Sequence, residues 1–367
     1  MSVLLLILGL ILFVGLVVVH EYGHFLAARR NGVEVEEFGI GFPPRAWGRK
    51  TKHGFLFSLN WLPIGGFVKL KGENDAATEK GSFGAARFRV KTKIMLAGVG
   101  MNLLAAFVIF MALAWIGMPQ LIDKQFSVKS DTHVLKQQVL IGYVESGSPA
   151  DKAGLKVRDQ LLRVASGSYT KQITTAEQLP DVTQHLAGQQ VTVTYLRGTV
   201  EHTVAVKLRA AQDAKKKGYL GISPSDYTLT RATWSAPVQS AGLLWQFTAV
   251  TFQGLGHILA ELVHGNGSAA SQQVTGPVGI VVVLHDGSML GFQIMLMIIG
   301  VISLSLAIMN LLPIPALDGG RFYVLLLSHL FGKRLSKDME ERIVGASFVF
   351  LILLIVLITV VDVKRFF

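Results

Sequence analysis

The sequence of residues 3–28 is VLLLILGLILFVGLVVVHEYGHFLAA, and its first 17 residues carry no charge. An apolar run of about this length allows a helix to cross the hydrocarbon core of a bilayer, which is roughly 30 Å thick. No Lys or Arg precedes Arg29, and the run continues directly into the polar stretch that begins at His20. A secretory signal peptide needs a basic start and a cleavage site of small residues. We therefore expect a retained transmembrane helix at residues 1–28.

Three further uncharged stretches bring the expected number of transmembrane helices to four. Only 16% of the residues are charged, against about 25% in soluble domains. The uncharged stretches are residues 94–122, 287–317 and 344–361. The transmembrane helices are expected at residues 1–28, 93–120, 287–320 and 344–367. The predicted fold class is therefore an α-helical polytopic membrane protein.

The net charge of +11 is explained largely by the loops between these helices. Between Arg29 and Lys93 there are 13 Lys and Arg and 6 Asp and Glu, a net charge of +7. Short loops rich in Lys and Arg remain in the cytoplasm, so loop 29–92 is expected there. Loop 321–343 is also basic and lies on the same side if four helices span the membrane. Both termini and the region between the second and third helices are then extracytoplasmic.

The composition also limits the partners and ligands that the chain can use. Binding of nucleic acid needs stacking aromatic residues or a recognition motif among the basic residues. The sequence contains neither, so the lipid bilayer is the expected partner and no nucleic acid is expected. The chain has no cysteine. A metal site must therefore use His, Asp or Glu side chains.

The basic loop 29–92 contains a pattern that is typical of β structure. Residues 55–61, FLFSLNW, have bulky apolar side chains at odd positions, and this period of two indicates a strand. Residues 63–66, PIGG, predict a turn, after which residues 67–70 form the returning strand. We expect a cytoplasmic-side, membrane-associated β-hairpin; an amphipathic loop is the alternative.

The region between the second and third transmembrane helices is expected to contain two parts. Residues 121–225 form an inserted β-rich domain, because Val139–Val144 and Val191–Leu196 are typical of strands and the length suits one small domain. Residues 226–286 form an interfacial helix and a linker. Polar residues interrupt the apolar segment Ala236–Val263, which favours a helix at the membrane surface. A fifth spanning helix is the alternative, and it would reverse the orientation of everything that follows.

His20, Glu21 and His24 form a His-Glu-x-x-His sequence at the end of the first expected helix. Residues four apart lie about 40° apart around a helix axis, so both imidazoles face the same way. They can bind one zinc ion at roughly 2.0–2.1 Å, and the adjacent Glu can accept a proton from water. We predict that His20 and His24 are zinc ligands and that Glu21 is the general base. The alternative is that these polar groups merely reach interfacial water.

A catalytic zinc site needs a third protein ligand, and Asp318 is the candidate. It follows Pro313 and Pro315, which interrupt the helix, and it precedes two glycines that permit close backbone approach. With four helices the first and third run in the same direction, so their C-terminal ends lie at similar depth. We therefore expect Asp318 to meet the His pair; an ordinary Asp-Gly turn at the membrane surface is the alternative.

Taken together, these residues resemble the paired motifs of the site-2 protease family, and more specifically those of bacterial RseP-type intramembrane metalloproteases. The matching stretches are His20–His24, Pro63–Lys69, Gly98–Asn102 and Asn310–Gly319. The resemblance implies zinc on His20, His24 and Asp318 with Glu21 as the base. It also implies that Asn310 contacts the substrate backbone or the oxyanion, and that the loop containing Gly65 and Gly66 pairs with an unwound substrate segment.

The stretch Ser148–Leu155 resembles the core of a PDZ domain, which implies a single extracytoplasmic PDZ domain in residues 121–225. The glycine that usually precedes the aspartate of this core is replaced by Arg158, before Asp159. The family also implies a location in the bacterial cytoplasmic (inner) membrane with an active site near the cytoplasmic side.

The activity implied by the resemblance is cleavage of a peptide bond in or beside the transmembrane segment of a single-span membrane protein. Expected substrates are anti-sigma factors already trimmed by an upstream site-1 protease, and remnant signal peptides. One alternative is a PDZ membrane scaffold with a structural metal site, although such a site has no need of Glu21. A second is an ion or metal transporter, although the second and fourth helices offer almost no polar groups besides Asn102.

Overall fold

A computed structural model describes residues 2–73, 77–122, 124–214, 218–267, 271, 274–332 and 337–366. In chain order the elements are α1 (Ser2–Arg30), β1 (Val35–Lys50), β2 (Leu56–Leu70), α2 (Phe88–Ile116), β3 (Met118–Pro119), β4 (His133–Val144), α3 (Pro149–Lys152), β5 (Gln160–Ser166), β6 (Tyr169–Gln172), α4 (Gln178–His185), β7 (Gln190–Arg197), β8 (Val200–Lys207), α5 (Ala211–Ala214), β9 (Ile222–Arg231), α6 (Ala236–Val263), α7 (Pro277–Leu290), α8 (Phe292–Leu311), α9 (Asp318–Phe331) and α10 (Lys337–Phe366). They form two compact units: the first comprises Met1–Leu113 and Ala236–Phe367, and the second comprises Ala114–Ser235.

Four helices in the described part of the chain are long and apolar enough to cross a membrane, which is the number predicted from the sequence. The apolar segments of α1, α2, α8 and α10 are Val3–Arg30, Phe88–Ile116, Phe292–Leu311 and Arg342–Phe366. Helix α2 begins five residues before the predicted position 93. It ends at Ile116 rather than 120, because Gly117 has a φ of 133° and cannot continue the helix. Helix α6 is not among the four.

The predicted third transmembrane helix, residues 287–320, is not continuous. Gly291, with a φ of 114°, separates α7 from α8. Helix α8 then ends at Leu311, because Leu312 precedes Pro313 and takes the extended conformation that a following proline favours. Asp318 is therefore the first residue of a new helix, α9, and not the last residue of α8.

The sheet of the first unit differs from the predicted hairpin. Residues 56–59 and 66–70 do not pair with each other, because residues 37–40 of β1 lie between them and pair with both. On its other side, segment 56–59 pairs with residues 47–50. The predicted turn at residues 63–66 lies inside β2, where Gly65 has a φ of 99°. The predicted pairing of residues 55–61 with 67–70 is wrong, because segment 37–40 of β1 lies between them and takes the backbone hydrogen bonds of both.

Helix α1 packs against α2, α7 and α8 through apolar side chains. Leu16, Leu284, Met295 and Ile299 form the fully buried centre of this cluster. Close to the His pair, α1 and α2 approach so tightly that a Cβ on Gly23 would lie 2.6 Å from the carbonyl oxygen of Ala97. The backbones of these two helices are therefore held in direct contact where the histidines lie.

Helix α10 is attached to the N-terminus of α7 by one buried side chain, Asp362. Its Oδ2 accepts hydrogen bonds from the backbone nitrogens of Gly276 (3.0 Å) and Gly279 (2.8 Å). A carboxylate at this position satisfies N–H groups that have no partner inside the helix and interacts favourably with the helix dipole. Between residues 348 and 363, α10 exposes mainly apolar side chains, as expected for a helix in lipid.

The second unit is built on a sheet with strand order β3-β9-β4-β5-β7-β8, in which β6 also pairs with β5. The predicted strands Val139–Val144 and Val191–Leu196 are confirmed as parts of β4 and β7. Asp131 accepts hydrogen bonds from the backbone and hydroxyl groups of both Thr233 and Ser235. Burial opposes ionisation of Asp131, but these bonds outweigh it and hold its pKa below the usual value.

Candidate metal centre

Three potential metal ligands meet at one point in the first unit. The Nε2 atoms of His20 and His24 are 3.1 Å apart. Oδ2 of Asp318 lies 2.9 Å from Nε2 of His20 and 3.1 Å from Nε2 of His24. Within the described residues, these are the only three His, Asp or Glu side chains that are grouped closely enough to hold a metal ion. The first-turn position of Asp318 on α9 thus brings it to the His pair, as the sequence predicted.

The distances fit a tetrahedral metal site. Ligand atoms at 2.0–2.1 Å from a tetrahedral zinc ion are separated from one another by about 3.3 Å. The three separations in the structure are 2.9, 3.1 and 3.1 Å. Both histidines are buried, and Asp318 is partly exposed. A fourth, open position is thus available on the side of the aspartate.

The second ring nitrogen of His24 supports the same conclusion. Its Nδ1 lies 2.7 Å from the carbonyl oxygen of Ile94 on α2. Because a carbonyl oxygen can only accept, Nδ1 carries the proton in the neutral ring. Nε2 is then unprotonated, and its lone pair faces His20 and the carboxylate of Asp318. Lone pairs that converge in this way are stabilised by a cation between them.

Gly98 of α2 forms the wall behind the two imidazoles. A Cβ at this position would lie 2.4 Å from Nε2 of His24 and 2.6 Å from Nε2 of His20. Any side chain here would therefore occupy the space of the ligand atoms. Gly100, two residues further along the same helix, has open space at the corresponding position.

The turn that carries Asp318 is compact because two glycines follow it. A Cβ on Gly319 would lie 2.5 Å from the carbonyl of Leu311, and one on Gly320 would lie 2.0 Å from the carbonyl oxygen of Ile314. The start of α9 can therefore lie directly on the end of α8, which positions Asp318. Proline residues 313 and 315 keep the intervening segment out of the helical conformation.

Glu21 lies beside a cavity of about 200 Å³ that also reaches His24 and Asp318. Six of the residues that line the cavity are apolar, and they come from β2, from the loop before α2 and from α2 itself. These apolar residues are Phe67, Val68, Leu70, Phe83, Ile94 and Met95. At the polar part of the wall, Arg321 of α9 forms an ion pair with Glu73, with Nη1 and Oε1 2.9 Å apart. The cavity therefore combines a carboxylate, the metal ligands and an apolar surface.

The family follows from a comparison with known proteins. The model of Peptidase family M50 matches residues 8–354, which is nearly the whole chain. The chain belongs to peptidase family M50. The family is that of the site-2 proteases, which depend on zinc, and this M50 chain is a zinc metalloprotease. With its four apolar helices it is a multi-pass membrane protein.

Three bacterial relatives, each named "Putative zinc metalloprotease", match this M50 chain along most of its length. The protein of Clostridium acetobutylicum is 30% identical over 99% of this chain and 98% of its own length. That of Fusobacterium nucleatum is 30% identical over 98% of this chain and 97% of its own length. That of Nostoc sp. is 29% identical over 92% of this chain and 90% of its own length.

The remaining residues expected in the site have defined positions in this M50 chain. Asn310 lies on α8, and its Nδ2 donates to the carbonyl of Leu306 at 3.0 Å. Gly66 lies next to Glu21, since a Cβ there would be 3.3 Å from Cγ of Glu21. Gly65 is the preceding residue of β2, where a Cβ would meet the ring of Phe42. The roles of Asn310, Gly65 and Gly66 toward a substrate stay predictions.

Sequence reasoning assigned no role to Asn102, Glu73 or Arg321. Asn102 of α2 contacts His20 through its side chain, at 3.3 Å. The available signal was a single amide in an otherwise apolar helix, because a buried polar group needs a partner. The pair Glu73–Arg321 gave no such signal, since both residues lie at the ends of elements where charged side chains are ordinary.

Proposed function

We propose that this M50 chain is an RseP-type intramembrane protease that cleaves single-span membrane proteins in or next to their transmembrane segments. The observation that carries the proposal is the convergence of His20, His24 and Asp318 beside Glu21, at a cavity lined partly by apolar side chains. The proposed zinc ligands are these two histidines and the aspartate, and the proposed general base is Glu21.

The chemistry follows from the positions of these groups. Zinc, when bound, supplies a Lewis acid that polarises the scissile carbonyl and lowers the pKa of water toward about 7. Glu21 takes the proton from the attacking water and delivers it to the nitrogen of the leaving group. Asn310 contributes an amide donor toward the substrate backbone or the oxyanion, which requires its Nδ2 to leave the carbonyl of Leu306.

A substrate helix must unwind before this reaction, because its carbonyl groups are engaged within the helix. Segment 66–70 supports the unwound conformation: among the described residues it pairs with β1 on one side, so its other edge is available for strand addition. The same segment contributes Phe67, Val68 and Leu70 to the cavity beside Glu21. An apolar side chain next to the scissile bond fits this cavity, as expected for a transmembrane substrate.

We further propose that the protein lies in the bacterial inner membrane with the metal centre near the cytoplasmic face. The basic composition of loop 29–92 supports this orientation. The second unit is then extracytoplasmic and functions as a PDZ domain that limits access to substrates. Suitable substrates are anti-sigma factors trimmed by a site-1 protease and remnant signal peptides, whose extracytoplasmic parts are already short.

The test compares native protein with Glu21→Gln on a reporter substrate with one transmembrane segment, with zinc content measured on both. We expect Glu21→Gln to retain zinc and lose at least about 100-fold in cleavage rate, the scale for a lost general base. Glu36→Gln, which removes an exposed carboxylate paired with Lys69, is the control and should cleave normally.

Two outcomes would contradict the proposal. Undiminished cleavage by Glu21→Gln would eliminate Glu21 as the base. Zinc-loaded native protein that cleaves none of a panel of trimmed single-span substrates would contradict the proposed substrate class and favour a scaffold with a structural metal site.

A further inference from the structure

The side chain of Asn102 contacts His20 on the side of the ring that faces away from Asp318. Asn102 is 1% exposed in the interior of α2. Its amide nitrogen lies 3.3 Å from Nδ1 of His20, the ring nitrogen that does not face Asp318. Its Oδ1 is buried and has no hydrogen-bond partner within the described residues. Within the described residues, the orientation of this buried amide therefore rests on its contact with His20.

The chemistry of the imidazole decides which end of the amide should face His20. If Nε2 binds a metal through its lone pair, the proton of the neutral ring is on Nδ1. Nδ1–H then needs an acceptor, and an amide nitrogen is only a donor. A half-turn of the amide presents Oδ1 to Nδ1–H and breaks no hydrogen bond of Oδ1. Since the oxygen and nitrogen of an amide have nearly the same shape, this turn requires no other movement.

We propose that Asn102 is a positioning residue that accepts the Nδ1–H of His20 and so holds Nε2 as a free lone pair toward the metal. Ile94 already does the same for His24 through its carbonyl oxygen. Helix α2 therefore supplies one acceptor to each histidine, eight residues apart on the helix. The position of Asn102 is further anchored by Ser303 of α8, whose hydroxyl donates to the Asn102 backbone carbonyl at 2.8 Å.

This inference rests on the proposed zinc ligands, so its test must distinguish a failure of the role of Asn102 from a failure of the zinc site itself. Zinc affinity is measured by chelator competition on full-length protein in detergent, together with the thermal unfolding midpoint. Asn102→Leu keeps the size of the side chain but cannot accept, whereas Asn102→Asp keeps both size and acceptor. We expect zinc affinity to fall about 10–100-fold in Asn102→Leu, the usual effect of losing such a partner, and to be retained in Asn102→Asp.

Two controls make the result decisive. His20→Ala should lose zinc; if it does not, the proposed metal centre itself is wrong. Gln239→Leu replaces another buried amide, on α6, and should leave zinc affinity unchanged. If His20→Ala loses zinc but Asn102→Leu binds it as tightly as the native protein, Asn102 has no positioning role. Equal loss in Asn102→Leu and Asn102→Asp would likewise overturn the proposal, because acceptance would then not be what matters.

Discussion

Gly98 is the residue of α2 that lies against both imidazoles. A Cβ would approach the Nε2 atoms of His24 and His20 to 2.4 and 2.6 Å, so alanine at this position would displace the imidazoles from their places beside Asp318. We expect Gly98→Ala to weaken zinc binding at least about 10-fold, comparable to losing a partner of a ligand. Zinc affinity and cleavage of a single-span reporter measure the effect.

Gly100→Ala is the matched control for this prediction. It makes the same substitution on the same helix, but its Cβ would meet open space, so zinc affinity and cleavage should stay at native levels. If Gly98→Ala binds zinc as well as Gly100→Ala, the imidazoles do not occupy the positions described.

At this scale the sequence predicted which three side chains converge, and it did not predict the residues that surround them. The spacing of His20 and His24 is enough to place both rings on one face, because helical geometry is local. Asp318 was found because proline and glycine mark an irregular segment near the same depth. Asn102 was not assigned a role, because its contact with His20 joins residues 82 positions apart. No periodicity in the sequence encodes such a contact.

At the scale of elements, the turn before β5 carries backbone strain. Arg158 has a φ of 77°, a conformation that costs a residue with a Cβ about 1–2 kcal/mol. The turn is fixed by neighbouring bonds, since the nitrogen of Arg158 donates to Ile141 and the carboxylate of Asp159 accepts from Lys156. The sequence comparison with PDZ cores had noted glycine at this position, and the structure explains that preference.

We therefore expect Arg158→Gly to be more stable than Arg158→Ala. Both variants lack the guanidinium group, but only alanine keeps the strain. The greater freedom of glycine in the unfolded chain offsets part of the gain, which leaves a difference of about 0.5–1 kcal/mol. Hydrogen exchange of β5 and β7 amides in the full-length protein measures it.

The same pair of substitutions at Arg163, inside β5, is expected to give the opposite ranking of stability. There glycine should be less stable than alanine, because it weakens a strand without relieving strain. If glycine and alanine rank the same way at positions 158 and 163, the proposed strain at 158 does not exist.

Elements were predictable wherever a single segment determines its own structure. The apolar length of α1 is sufficient to identify it as a spanning helix, and the strands that contain Val139 and Val191 follow from local composition. The arrangement of the first sheet was not predictable in this way, because segment 37–40 enters between two segments that are adjacent in sequence. The break between α7 and α8 depends on one glycine, Gly291, within an apolar stretch.

At the scale of the whole molecule, the open question is how the chain crosses the membrane. Charge predicts that loop 29–92 is cytoplasmic. The four helices α1, α2, α8 and α10 then leave the second unit and the C-terminus on the opposite side. If α6 spans the membrane as well, the second unit keeps its side but the C-terminus changes to the cytoplasmic one. The two topologies therefore differ in the side of the membrane on which the C-terminus lies, and this side can be measured.

Because the chain has no cysteine, single introduced cysteines can report the side of each position without background. Lys52, Lys171 and Lys364 are exposed and represent the basic loop, the second unit and the C-terminal end of α10. In spheroplasts with an intact cytoplasmic membrane, a membrane-impermeant maleimide should label Lys171→Cys and Lys364→Cys without permeabilisation. Lys52→Cys should react only after the membrane is opened, because loop 29–92 faces the cytoplasm.

Each alternative gives a different labelling pattern. Protection of Lys364→Cys together with reaction of Lys171→Cys would indicate that α6 is a fifth span. Reaction of Lys52→Cys before the membrane is opened would indicate the reverse orientation, with the His pair near the extracytoplasmic face. The second unit would then lie in the cytoplasm, on the opposite side of the membrane from the His pair, and could not limit access by the size of a substrate's extracytoplasmic part. The charge of loop 29–92 thus predicts the orientation of the chain, and the orientation determines which face of the membrane lies next to Glu21.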